Sequence, residues 1–349
     1  MRRWAYLLIG LATLALLPDC GKESSGRRRI RLSLILAKSS EWYQGAMRWK
    51  ELVEKETQGR YVVEVIPNAE RSTANQSTEL QMVQRGQLEA SLESTILLST
   101  VDSRWAVFSY PWLFPNHAIA NAVCDGPVGE EMLKLLLDRN IVGLAYGANG
   151  FRQITNSRRP IKAAEDLVGM KIRVPPGLPP ILFGHFGAIT DQMNFTDLSV
   201  ALQSGALDGQ ENPLSVIQNA QLHTVQKYVT LWGFVYDPIV LCMSRDFWYT
   251  LPGDDQRILR KCAVEAMRYE RQLVAEADAA IPPLLEKAGM VVTRLTDLET
   301  GAFRAKASGV RPYFEKLAGK ELLQRFESAV KEEIEKARAK ALEEAAEKR

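Results

Sequence analysis

The chain has 349 residues, 46% of them hydrophobic and 8% aromatic, enough for a sizeable core and long for one compact unit, so two lobes are expected. Its 44 basic and 42 acidic residues leave a net charge of +2 and are interspersed, so no basic face for nucleic acid is visible. The only histidines, His117, His185 and His223, lack metal-ligand spacing, and HExxH, GxSxG, P-loop and GxGxxG sequences are missing, so no metal, cofactor or catalytic residue is expected.

At the N-terminus Arg2 and Arg3 precede an apolar run from Ala5 to Leu17, the length of a signal-peptide core and short of the ~20 residues a spanning helix needs. Cys20 follows in LLPDCGKESSG, which resembles a bacterial lipoprotein processing site with leucine three positions before the cysteine. Residues 1–19 are therefore expected to be a signal peptide, Cys20 the lipidated first residue and 20–29 a polar tether, with ordinary signal cleavage as the alternative. Cys124, Cys242 and Cys262 are widely spaced among apolar neighbours, which favours buried thiols over disulfides or a metal site.

Residues 30–36 read as a first strand, Glu41 to Lys55 as a helix with Ala46, Trp49 and Val53 on one face, and YVVEVIP after Gly59 as a second strand. A helix from Thr78 to Arg85 stops at Gly86 before a strand at Leu88 to Leu92, an alternation that predicts an α/β lobe with a mainly parallel sheet. Trp42, Tyr43, Glu70, Glu93 and Ser94 then fall on loops at the carboxyl ends of strands, where open α/β sheets place their crevices. Trp112 and Phe114 in SYPWLF read as packing residues.

A second lobe is expected from near Gly150, where turn residues cluster, with Arg152 on a strand in GANGFRQITNSRRPI. In MKIRVP a two-residue period sets Met170, Ile172 and Val174 inward and leaves Arg173 on the opposite face, available to a cleft. Phe195 stands just before a predicted helix from Asp197 to Gln203, capped by Thr196 and ended by Gly205. Asn212 and Pro213, closing ALQSGALDGQENP, read as N-cap and first residue of the next helix, whose amides would favour an anion. The chain recrosses near Asp237 and Pro238. Asp254 to Ala280 holds no glycine or proline and carries Ile258, Cys262, Ala266, Tyr269 and Leu273 at helical spacing, a helix of roughly 40 Å. Lys331 to Arg349 reads as a solvated helix with Glu332 and Glu344 four residues before Lys336 and Lys348.

GxRxxTNxxxPI, DLxGxKIRVP and ALQxGxxDGQENP, in this order, resemble the TRAP-transporter solute-binding (DctP-type) family, and the similarity covers most of residues 30 to 330. The resemblance implies a two-lobed, periplasmic-binding-protein-like (type II) α/β fold with one long helix spanning both lobes. It implies lobe I at 30–149 plus about 238–277, and lobe II at 150–237 plus about 278–349 with the C-terminal helices. It also implies an extracytoplasmic receptor, not an enzyme, that closes on a small organic acid, most simply a carboxylate, and delivers it to TRAP-type membrane permease subunits. Further implied partners are the membrane surface through a lipid anchor and a periplasmic helical-repeat (TPR-like) accessory protein. Arg173 would pair with the ligand carboxylate, Arg152 and Asn212 would assist, and Phe195 would lie against the ligand body.

The chain departs from the family where Pro-Met-x-Phe-Ser-Glu-x-Tyr is usual: Gln192 to Ser199 keeps the aromatic and loses the proline and tyrosine. Phe234 replaces a common histidine, Asn68 to Arg71 an LG-type turn, and Glu89 a usual aspartate. A more apolar ligand, a sensory or scaffold lipoprotein, and a hydrolase on the same scaffold remain open readings.

Overall fold

The computed structural model describes residues 27–347. The expected signal peptide, Cys20 and Lys348 lie outside the described residues. Strands β1 (Arg28–Ser33), β2 (Tyr61–Ile66) and β3 (Ala90–Ser94) form a parallel set with β1 in the middle, flanked by helices α1 (Glu41–Glu56) and α2 (Gln76–Gln84). Helix α1 starts where the Ser40 side chain accepts the Tyr43 N–H, and it buries Ala46, Trp49 and Val53 as its 3.6-residue spacing requires. A short helix α3 (Thr95–Leu98) follows β3.

Strand β4 (Ile141–Asn156) is 16 residues long and joins the two halves of the molecule. Its first part pairs antiparallel with β9 (Tyr236–Ser244), which pairs antiparallel with β3. Its last residues pair with β7 (Gly209–Pro213) and β8 (Tyr228–Leu231), and the second half-sheet is completed by β5 (Lys171–Val174), β6 (Ile189–Gln192) and β10 (Val291–Arg294). The order is β2-β1-β3-β9-β4-β7-β5-β6, with β8 on β4 and β10 on β8. The sheet is thus mixed where a mainly parallel one was expected, because β4 and β9 run against their neighbours. The turn-rich stretch around Gly150 is continuous strand, bent by register shifts at Gly143/Ala145 and Ala148/Gly150; Gly150 takes a φ of +107°, which a side chain would resist.

The long helix runs from Gly253 to Lys287, through Pro282 and Pro283, past the expected end at Ala280. Leu259, Ala263, Ala266 and Met267 pack into the cluster that holds α1 in the first lobe, while Ile281 and Leu285 join Leu198 and Ile217 in the second. Burial of that last turn outweighs the backbone hydrogen bonds that the prolines forgo. This is a two-lobed α/β fold with a helix spanning both lobes. The C-terminal helix begins at Lys320, earlier than expected, because Leu323, Phe326 and Val330 are buried on the core. Cys124, Cys242 and Cys262 are free and buried.

Candidate functional site

Between the lobes lies a cavity of about 50 Å³ whose wall sets Ser94, Asn149, Arg152, Arg173 and Asn212 beside Trp42 and apolar side chains such as Ile96 and Leu97. The two arginines differ sharply. Arg152, on β4, is encased by carboxylates: Nε and Nη2 donate to Glu211, Nη1 donates to Asp237 Oδ2 at 3.0 Å, and Nη2 also reaches Asn212 Oδ1 at 3.1 Å. Burial opposes its charge, but Glu211 and Asp237 outweigh burial and hold the guanidinium above its ordinary pKa. Arg173, on β5, is 1% exposed, and its Nε and Nη2 donate only to the Met193 carbonyl, at 2.9 and 2.6 Å. Burial pushes its pKa down to about 9, with repulsion from Arg152 added and Glu211 only partly opposing, so at neutral pH it is a buried cation without a carboxylate of its own.

The other expected residues divide. Trp42 lies in the first turn of α1, not on a loop, is 4% exposed and lines the cavity. Ser94 ends β3; its hydroxyl donates to Asp237 Oδ1 at 2.7 Å and accepts the Ile96 N–H at the start of α3. Phe195, at the head of a 3-10 turn, is half-buried and packs against the apolar clusters of both lobes. Glu93 belongs to β3, and strand alternation turns it to the face opposite Ser94, where burial and Glu79 raise its pKa well above the carboxylate range. Tyr43 faces a separate surface groove with Met47 and Glu51, and Glu70 is exposed in a 3-10 turn; neither lines the cavity.

Asn212 is not a helix cap. It pairs in register with Gln153, so β7 stays extended through Pro213 and the helix Leu214–Asn219 starts after it without a side-chain cap. Its amide nitrogen donates to Gln210 Oε1 instead. Nor does Thr196 cap: its hydroxyl donates to Ala74 O at 3.2 Å, and the helix Leu198–Gln203 follows the 3-10 turn directly. The sequence reading missed Glu211, Asp237 and Asn149, although Glu211 sits inside the QENP motif beside Asn212.

Polar contacts draw the lobes together over the cavity. Asn194 Nδ2 donates to Ala74 O at 2.8 Å, Asn219 Nδ2 to Glu41 at 3.2 Å, and Ser99 Oγ to Gly177 O at 3.0 Å. A second, larger cavity of about 260 Å³ adjoins the first and shares Ile35, Leu36, Phe195 and Val216 with it. Ile35 and Leu36 reach it because β1 ends at Ser33, earlier than expected, and leaves them in the following loop. Among the described residues, no group of three or more His, Cys, Asp or Glu could hold a metal ion, and no helix is long and apolar enough to cross a membrane.

A buried cation in a cleft between two half-sheets joined by a shared strand accords with a family comparison: the profile of bacterial extracellular solute-binding protein, family 7 (DctP), matches residues 32–317. The chain belongs to the DctP family. A relative, a solute-binding protein of Verminephrobacter eiseniae, is 34% identical over 307 residues, 88% of this chain and 90% of its own. A TRAP periplasmic solute-binding protein of Ralstonia eutropha, solved with bound (S)-2-acetolactate, superposes with a TM-score of 0.83 at 34% identity, covering 87% of this chain and 99% of its own. A sugar acid binding protein of Advenella mimigardefordensis, solved with galactonate, gives a TM-score of 0.84 at 30% identity, covering 88% of this chain and 98% of its own.

Proposed function

We propose that this DctP-family protein is the extracytoplasmic receptor of a TRAP-type, ATP-independent transporter, and that it holds a small organic acid between its lobes with the acid's carboxylate on Arg173. The observation that carries the reading is the buried Arg173 guanidinium, which faces a cavity without a neutralising carboxylate, while the charge of Arg152 beside it is met by Glu211 and Asp237. A guanidinium offers a planar fork to a carboxylate, and enclosure strengthens each charge-assisted bond. Arg152 retains one Nη1 hydrogen for the ligand and otherwise fixes Asn212, which lines the same wall. The acids held by the Ralstonia and Advenella proteins support this class of solute.

Lobe I would comprise 30–149 plus about 238–277 and lobe II 150–237 plus about 278–319, with hinges in β4 near Gly150 and in β9 near Asp237; the C-terminal helix, expected with lobe II, packs instead on lobe I, where Phe326 meets Phe108 and Arg325 pairs with Glu131. A ligand drives closure only through contacts it makes in the closed state, here from Trp42 on one side and Arg173 on the other. Closure would present both lobes to membrane permease subunits, with Cys20 anchoring the receptor to the outer face of the membrane and a helical-repeat accessory protein as a further partner. The solute leaves chemically unchanged.

Mass spectrometry of small molecules released by denaturing gently purified protein tests the reading, with Arg173→Ala expressed in the same host for comparison. The expected result is a carboxylate near one per chain in the wild type and none in the variant. A neutral molecule retained by both proteins, or a reaction product in place of an intact solute, would overturn it.

A further inference from the structure

A further cavity, of about 400 Å³, lies away from the cleft between the lobes and is larger than either cavity there. Its volume falls in the range of small-molecule sites, about 300–1,000 Å³. It follows the first part of β4, which is a free edge of the sheet in lobe I because only β9 pairs with it from Ile141 to Phe151. The helix Pro127–Leu135 and the turn after it form one wall, and the long helix forms the other. Every wall residue belongs to 124–146 or 260–271, inside lobe I, so closing the lobes as rigid bodies would not reshape it. The edge is blunted against another strand. Leu144 is the extra residue at the register shift between Gly143 and Ala145, Arg260 Nη1 donates to the Gly143 and Leu144 carbonyls at 2.9 and 3.2 Å, and Glu270 accepts the Ala148 N–H at 2.8 Å. A compact molecule therefore suits the cavity better than an extended peptide.

Charge selects the head of that molecule. Arg260, Val264, Arg268 and Arg271 are spaced by four, four and three residues and share one face of the long helix. Arg268 and Arg271 form a like-charged pair that weakens a helix unless an anion answers it. Arg271 is answered by Asp125 through Nη1 and Nη2 at 2.7 and 2.9 Å, while its buried Nε has no partner. Arg260, Arg268 and, from the opposite wall, Lys134 make no ion pair among the described residues. Partial burial lowers the Arg260 pKa, and no carboxylate opposes it. The one other carboxylate of the wall, Glu130, stands in the first turn of its helix, where the amide dipoles already favour it. Cys124 adds no charge, since burial pushes its thiol up to about 12, and Tyr146 spends its hydroxyl on the Gly129 carbonyl at 2.9 Å. The rest of the wall is mainly hydrocarbon, from Leu133, Leu137, Val142, Leu144 and Val264. A bare ion would leave these side chains in water, and a neutral hydrocarbon would leave the cations unanswered.

We propose that this cavity is a second ligand site, for a soluble amphiphilic anion: a carboxylate or phosphate head among Arg260, Arg268 and Lys134, and an alkyl or aryl body against Leu133, Leu144 and Val264. A phospholipid fits less well, because it could fill the cavity only by drawing an acyl chain out of the bilayer into it. The basic stretch Arg27 to Arg29 at the start of the described chain repels the same wall, so the N-terminal tether is not the occupant.

Titration calorimetry on the ligand-stripped Arg173→Ala chain, which silences the arginine between the lobes, tests this with octanoate, acetate and octylammonium. Octanoate is expected to bind, acetate about tenfold or more weaker for want of a body, and octylammonium weaker by at least about as much for its charge. Arg268→Glu and Val264→Trp, both at exposed helix positions, should each weaken octanoate about tenfold, the first by reversing a charge at the head and the second by filling the cavity. Acetate binding as tightly as octanoate overturns the apolar body, and octylammonium binding as tightly overturns the anionic head. If octanoate binds only the chain that keeps Arg173, and is indifferent to both substitutions, it sits between the lobes; the second site then falls while the receptor reading stands. No octanoate binding to any chain also overturns the site, and retention on phosphatidylglycerol vesicles that Arg268→Glu abolishes would then make this face a membrane contact instead.

Discussion

Replacing Arg152 by alanine would strand Glu211 and Asp237 as buried carboxylates without their cation, and losing one partner of such a network costs about 3–5 kcal/mol of stability. Arg173→Ala removes a charge whose only protein partner is the Met193 carbonyl, so the ligand-free variant should be about as stable as wild type or more so. Its loss should appear in binding instead, at roughly 2–5 kcal/mol, or about 30-fold to several thousand-fold in affinity. Urea denaturation of the ligand-free proteins separates the two arginines; equal destabilisation by both substitutions would make Arg173 a structural cation. The sequence set both arginines at the ligand, Arg173 as partner of the carboxylate and Arg152 assisting, but motifs name residue types and not partners, so the carboxylates that encase Arg152 were not legible. Glu211 meets Arg152 only through the antiparallel register of β4 and β7, a long-range pairing that local pattern does not encode. The same register keeps Asn212 extended and defeats the capping expected of an Asn-Pro pair. Glu93 was placed near the ligand because β3 was read two residues early, and the alternation of the observed strand turns it away.

Among the elements, the loop after β5 lies against α3. Gly177 has a φ of +94°, and a Cβ added there would lie 2.0 Å from the Ile96 carbonyl oxygen, next to the Ser99 Oγ to Gly177 O hydrogen bond. Gly177→Ala should therefore hold the two elements apart. We expect a roughly tenfold loss of affinity, about 1.4 kcal/mol, and by small-angle scattering a larger radius of gyration at saturating ligand than wild type. Wild-type values for both would mean that the loop yields and that this contact is not part of closure. Periodicity located α1 and the body of the long helix well, because each buries one stripe of small and apolar residues. It ended the long helix at Ala280 because Pro282 and Pro283 are local stop signals, while Ile281 and Leu285 are held by a core that forms only once the second lobe is in place. Read the same way, the glycines near residue 150 signalled a turn, where pairing with β9 makes them bulges in one strand.

The two-lobed plan of the whole molecule was legible from strand and helix alternation together with the motifs, but its burial of acidic groups was not, because pattern alone does not tell which carboxylates face inward. Burial raises Glu79 to about 8 beside Ser33, and raises Glu270 to about 8 although it accepts the Ala148 N–H at 2.8 Å. Glu93 is raised for the same reason, with Glu79 adding to it. The ordinary value is 4.5, so below it the folded and unfolded chains are both protonated at these sites and the sites favour neither. Between 4.5 and about 8 the folded chain retains protons that the unfolded chain has released, so the unfolded state binds fewer and stability must fall as pH rises through this window. The paired carboxylates Asp102, Asp255 and Glu131 are shifted the other way and have finished titrating below it. The ligand-free protein should thus melt several degrees higher near pH 5.5 than near pH 8. Glu79→Gln and Glu270→Gln, which carry a neutral group of the same shape at every pH, should each flatten that slope and raise the melting temperature most at the alkaline end. A melting temperature that is level or rises between those pH values would mean that water or a bound cation reaches these carboxyls in solution and lets them ionise within the fold.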